Sequence, residues 1–78
     1  MPLIEVKVIE NVFTPEQKRQ IITTLTDAMV MIEGESLRPF TLVLIEEVRS
    51  GDWSVGGQAI TTDAVHAMTA EARSVAGT

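Results

Sequence analysis

Seventy-eight residues with no cysteine, a single histidine and a formal charge of −5 leave few ways to hold a fold together. A chain this short buries only about 60 % of the surface its unfolded form exposes, and it can assemble neither a disulfide nor a thiolate or polyhistidine metal site to compensate. Eleven acidic against six basic residues would repel a phosphate backbone, which excludes nucleic acid as a partner.

The longest unbroken apolar run, Ala28 to Ile32, is far too short for a membrane span or a signal core, so no membrane partner and a cytoplasmic location are expected. Hydrophobic residues make up 45 % of the chain, with one tryptophan and two phenylalanines as its aromatics. That is generous apolar content for a small domain, and part of it is expected to face another copy of the chain. No repeat, charge block or low-complexity stretch interrupts the sequence, so residues 1–78 are read as one domain.

From Leu3 to Ile9 the side chains alternate, with Ile4, Val6 and Val8 pointing one way and Leu3, Glu5, Lys7 and Ile9 the other, which predicts a strand. Thr14-Pro15-Glu16-Gln17 reads as a helix start: Thr14 caps, proline takes the first helical position, and Gln17 closes a capping box. Ile21, Ile22, Leu25, Ala28, Met29 and Ile32 then recur at three- and four-residue spacing as one apolar stripe, and Gly34 is the expected stop.

Pro39 and the run Phe40 to Ile45 predict a second strand continuing to about Val48. It is apolar on both faces, as in a parallel strand covered by its crossover helix on one side and by another subunit on the other. Arg49-Ser50-Gly51-Asp52 signals a turn and Ser54-Val55-Gly56-Gly57 a short hairpin. A second helix starts near Thr61 to Asp63, with Val65, Met68 and Ala72 as a thin stripe suited to a peripheral or interface position. The fold class is therefore α/β (α+β): a right-handed βαβ unit with a hairpin and a terminal helix, its two-stranded sheet completed by oligomerisation.

Most catalytic signatures are absent, including a Gly-rich phosphate loop, paired histidines and a cysteine nucleophile, so no cofactor and no metal are expected. Met1-Pro2 directly before a strand stands out. Methionine before a small residue is normally trimmed, which would leave Pro2 as a secondary amine at the chain end. An unmodified α-amino group titrates near about 7.7 to 8.0, and burial or a neighbouring cation lowers that value, giving a base that is neutral at cellular pH. The competing reading is a proline tolerated at the start of an edge strand.

Pro2 to Glu10, then Thr14 to Lys18, then Gly51-Asp52-Trp53-Ser54-Val55-Gly56-Gly57 resembles the 4-oxalocrotonate tautomerase family in order, spacing and character, over roughly residues 2 to 58. The resemblance implies a βαβ subunit that pairs into dimers and assembles as a trimer of dimers. It also implies that Pro2 shuttles a proton between carbon and oxygen of a small enol or 2-keto acid. The family's pocket aromatic falls on Trp53, and its small apolar residue before the two glycines falls on Val55.

Two departures affect substrate. Typical members place an arginine in the loop after the first strand, where this chain has Val12 and Phe13 with an extra residue, and another in the second strand, where it has Leu42. Both would pair with substrate carboxylates. Arg38 and Arg49, at the two ends of the second strand, are the nearest candidates to replace them. Lys18 and Arg19 are expected as surface charge. Glu46, Glu47 and Asp52 are the carboxylates that could activate water, with a solvated face as their simpler reading, and His66 is expected at a surface or interface.

Tautomerisation is thus the leading function. The alternatives are a proline-based dehalogenase, hydratase or decarboxylase on the same fold, or a catalytically idle oligomeric binding module, since one scaffold hosts many reactions.

Overall fold

The computed structural model describes residues 1–76, with side chains through residue 70. In chain order it comprises β1 (Leu3–Ile9), α1 (Pro15–Glu33), a 3₁₀ segment (Glu35–Phe40), β2 (Leu42–Val48), β3 (Trp53–Val55), β4 (Gln58–Ile60) and α2 (Thr62–Ala76). The chain groups into two compact units, residues Met1–Val8 with Phe13–Glu46, and Ile9–Val12 with the chain from Glu47 onward.

In the first unit, α1 starts as its sequence demands. Thr14 is extended, its Oγ1 accepts the Gln17 N–H at 3.1 Å, and its own N–H donates to Gln17 Oε1 at 2.9 Å. Two of the helix's orphan donors are satisfied, and Pro15 has no N–H to lose. Thr14→Ala is expected to lower stability by about 1 kcal/mol, measured as a fall in the denaturation midpoint; an unchanged midpoint would show that the box contributes nothing. Gly34 ends the helix at φ 104°, with its N–H donating to the Val30 carbonyl at 2.8 Å. Few L side chains adopt that φ.

The stripe on α1 differs from the sequence reading. Ile21, Leu25 and Met29 are half-buried as expected, but the residue that reaches the core is Val30, at 6 % exposure, whereas Ala28 and Ile22 are exposed and Ile32 is 84 % exposed. At about 100° per residue, Ile32 lies nearly opposite Val30. Val30-Met31-Ile32 is apolar all round, so periodicity alone could not choose the inward side.

β2 also starts later than its composition suggests. Phe40 closes the 3₁₀ segment, where the Thr41 N–H donates to the Arg38 carbonyl at 3.2 Å. The segment is held by Arg38, which donates to both Glu35 oxygens at 2.6 and 3.2 Å and to Asp27 Oδ1 at 2.9 Å. Residues three apart eclipse in a 3₁₀ turn, which brings the Glu35 and Arg38 side chains together.

β1 and β2 form a two-stranded sheet. The Leu42 N–H donates to the Pro2 carbonyl at 3.0 Å where both strands begin, and the Glu10 N–H to the Val48 carbonyl at 2.8 Å where both end, so the pair is parallel. Ile4, Val6, Val8, Val43 and Ile45 are half-buried on one face; Leu3, Glu5, Lys7, Leu42, Leu44 and Glu46 are exposed on the other. Lys7 and Glu46 pair there at 3.6 Å. The second face of β2, expected to be covered, is open in the single chain: Leu42 and Leu44 are 47 % and 48 % exposed.

In the second unit, β3 and β4 form an antiparallel hairpin pairing Trp53 with Ile60, Ser54 with Ala59 and Val55 with Gln58. Gly56 and Gly57, at φ 59° and 86°, make the two-residue turn whose twist matches that of the strands. α2 begins where Thr61 Oγ1 accepts the Ala64 N–H at 3.1 Å. Val65 is half-buried and Met68 exposed, while Ala72 lies outside the residues whose side chains are described. Among the described residues no helix is long and apolar enough to cross a membrane, and Ile9 and Val30 are the buried hydrophobic residues.

Candidate active site

Pro2 is half-buried at the head of β1, and Met1 before it is exposed. The backbone bond from Leu42 ties Pro2 to the first residue of β2, so the first unit brings Pro2 and Leu42 together. The ring thus starts a paired strand, and its neighbour across the ladder turns a large apolar side chain to the open face. Phe13 serves a different place. With Gln17, Gln20, Ile21, Thr24 and Leu25 it lines a groove of about 340 Å³ on α1. Sequence reasoning did not identify that groove, because its walls combine a loop aromatic with polar helix positions.

Arg38 is committed elsewhere in this unit. Hydrogen bonds to Glu35 and then Asp27 push its pKa further above the ordinary guanidinium range, and the Arg38 hydrogen bond draws the Glu35 carboxyl below its ordinary value. Asp27 lies on α1, so these contacts also tie the 3₁₀ segment to the helix. Glu46 is engaged by Lys7. Lys18, expected on the surface, is half-buried; Arg19 is exposed.

The second unit holds Arg49, Asp52, Trp53 and Val55. The Asp52 N–H donates to the Arg49 carbonyl at 2.9 Å, closing the turn before β3. Arg49 is exposed, and its guanidinium has no partner among the described residues. Trp53 is half-buried opposite Ile60, and Val55 is exposed beside the glycine turn. His66 is exposed but anchored: its Nε2 lies 2.9 Å from the Asn11 carbonyl, which can only accept, so Nε2 carries the proton.

Residues missed from sequence complete this unit. Ser50 N–H donates to Glu10 Oε1 at 3.0 Å, Thr62 N–H to Ser50 Oγ at 2.9 Å, and Thr62 Oγ1 to the Glu10 carbonyl at 2.6 Å. Polar residues this far apart in the chain give no periodic signal.

The comparisons agree with this architecture. A family model described as "Tautomerase enzyme" matches residues 2–63. The chain is 33 % identical over 61 residues to "Probable tautomerase K2" of Dickeya dadantii (strain 3937), covering 78 % of this chain and 90 % of that protein. Among solved structures it is similar to YwhB, a homologue of 4-oxalocrotonate tautomerase, at TM-score 0.66 and 34 % identity, over 74 % of this chain and 92 % of that one. It is also similar to a 4-oxalocrotonate tautomerase isozyme from Methylibium petroleiphilum, at TM-score 0.67 and 28 % identity, over 88 % of this chain and 98 % of that one. A parallel β-α-β pair headed by Pro2, followed by a glycine-turn hairpin and matched from residue 2 onward, belongs to the 4-oxalocrotonate tautomerase family of tautomerase enzymes.

Proposed function

We propose that this tautomerase acts on small enol or 2-keto monocarboxylic acids, with Pro2 as the general base and acid once Met1 has been removed. The observation that carries the reading is the placement of Pro2, half-buried and bonded to Leu42 at the head of the sheet, behind an exposed Met1 open to trimming. The free secondary amine takes the enol O–H proton through its lone pair. The resulting ammonium returns a proton to carbon, and enol becomes ketone with the amine regenerated.

In the proposed assembly the pocket at Pro2 takes its apolar lining from Leu42, Val12, Trp53 and Val55 of this subunit or its neighbours, and a planar enol stacks on the indole. Of the two candidate cations, Arg38 is occupied by Asp27 and Glu35, which favours Arg49 as the carboxylate partner. The assembly we propose is a homohexamer, a trimer of dimers. Two supports are the thin core, with Ile9 and Val30 as its buried hydrophobics, and the open leucine face of the sheet.

Substrate choice follows from Val12 and Leu42 standing where related enzymes carry arginine. A dicarboxylate held there loses hydration without gaining paired donors, whereas a monoacid leaves its one carboxylate for Arg49 or solvent. A phenylenolpyruvate-type enol is expected to exceed a dicarboxylate dienol by at least roughly tenfold in kcat/KM, equivalent to about 1.4 kcal/mol. Steady-state kinetics on both substrates test this, and equal or reversed preference refutes it.

A further inference from the structure

The turn after β1 is held almost entirely by residues far away in the chain. Glu10 is fixed at three groups: its N–H by the Val48 carbonyl at 2.8 Å, its carboxylate by the Ser50 N–H at 3.0 Å and its carbonyl by Thr62 Oγ1 at 2.6 Å. Thr62 is itself oriented by its N–H bond to Ser50 Oγ at 2.9 Å. Asn11 follows at φ 61°, a left-handed conformation that few non-glycine residues adopt, and His66 holds its carbonyl at 2.9 Å. Asparagine tolerates this geometry, but a local preference alone does not fix which way the next residue leaves the turn. The donors from Thr62 and His66, on the first two turns of α2, do.

We propose that Thr62 and His66 are positioning residues: the start of α2 clasps Glu10 and Asn11, sets the direction in which Val12 leaves the turn, and thereby tunes substrate affinity. The proposal rests on the reading above, in which Val12 lines the substrate site. It gives α2 a function beyond packing, consistent with its thin apolar stripe, where Val65 is half-buried and Met68 exposed. Thr62 contributes through a hydroxyl and His66 through one N–H, so each has a conservative replacement that keeps the donor. Thr62→Ser keeps the O–H, and His66→Gln keeps an N–H of similar reach.

The test uses the full-length protein as Thr62→Val, His66→Ala, the double variant, the two donor-preserving variants, and Thr69→Ala as an exposed control on the same helix. Amide exchange of Glu10 and Ser50, whose N–H groups donate to the Val48 carbonyl and to Glu10 Oε1 within this turn, is measured alongside kcat and KM for a phenylenolpyruvate-type enol. The double variant is expected to exchange these amides at least about tenfold faster while β1 stays protected. KM should rise about fivefold with kcat within about twofold, and Thr62→Ser and His66→Gln should restore both readouts. Faster exchange with unchanged KM would reduce the network to a fold-stabilising role and overturn the proposal, as would unchanged exchange. A wild type that turns over no enol refutes the proline reading and the affinity role with it, while the exchange arm still decides whether α2 clasps the turn.

Discussion

Protein that retains a residue ahead of Pro2 is expected to lose roughly 10²- to 10⁴-fold in kcat/KM against protein whose chain begins at Pro2, the contribution typical of a positioned general base. The cause is electronic. Within a peptide bond the proline nitrogen shares its lone pair with the preceding carbonyl and has no useful basicity; at the chain end it is a secondary amine. Pro2→Ala leaves a primary amine in place and should fall between the two. Intact mass establishes the state of each sample, and kinetics on one monocarboxylate enol rank them. Equal turnover in all three forms would remove Pro2 from the mechanism.

The second large effect concerns assembly. Leu44→Asp is expected to convert the proposed hexamer to smaller species in light scattering at micromolar concentration. Leu44 sits near the middle of the exposed sheet face, 48 % exposed in the single chain, with Leu3 and Leu42 beside it. Burying such a leucine against a second copy contributes about 1.5–3 kcal/mol at each equivalent position, and an unpaired carboxylate there reverses the sign. Thr23→Asp, at an exposed position on α1, is the matched control. A wild type that runs as a stable monomer, or a Leu44→Asp protein of unchanged mass, would contradict the assembly.

Local chemistry made much of the fold legible. Thr14-Pro15-Glu16-Gln17 determines a helix start through bonds spanning three residues, and Gly56-Gly57 fixes a hairpin through backbone angles that other residues avoid. Alternation along Leu3 to Ile9 separated the two faces of β1, except that Ile9, grouped with the exposed Leu3, Glu5 and Lys7, is buried at the strand end. What escaped were choices made by distant partners. That Val30 rather than Ile32 turns inward is a choice periodicity could not make, because Met29 to Ile32 are all apolar. Phe40 left the strand because Arg38 is held by Glu35 three residues back and Asp27 eleven back.

The candidate site divides the same way. Pro2 was conspicuous because a proline after the initiator methionine has a definite chemical consequence, and Trp53 and Val55 because the family resemblance places its pocket aromatic and its small apolar residue before the two glycines on them. The engagement of Arg38, which distinguishes it from Arg49, arises only once the chain folds and brings Asp27 to it. So does the Glu10, Ser50, Thr62 and His66 network, whose members are ordinary polar residues until the second unit forms.

The claim that Pro2 is the base is tested most directly by following its own nitrogen. In protein labelled with ¹⁵N-proline, the Pro2 signal should report a secondary amine, and its titration midpoint should coincide with the acidic limb of the kcat/KM profile for a monocarboxylate enol. A Pro2 nitrogen still bound as an amide in fully active protein, or a titration unrelated to that limb, would contradict it.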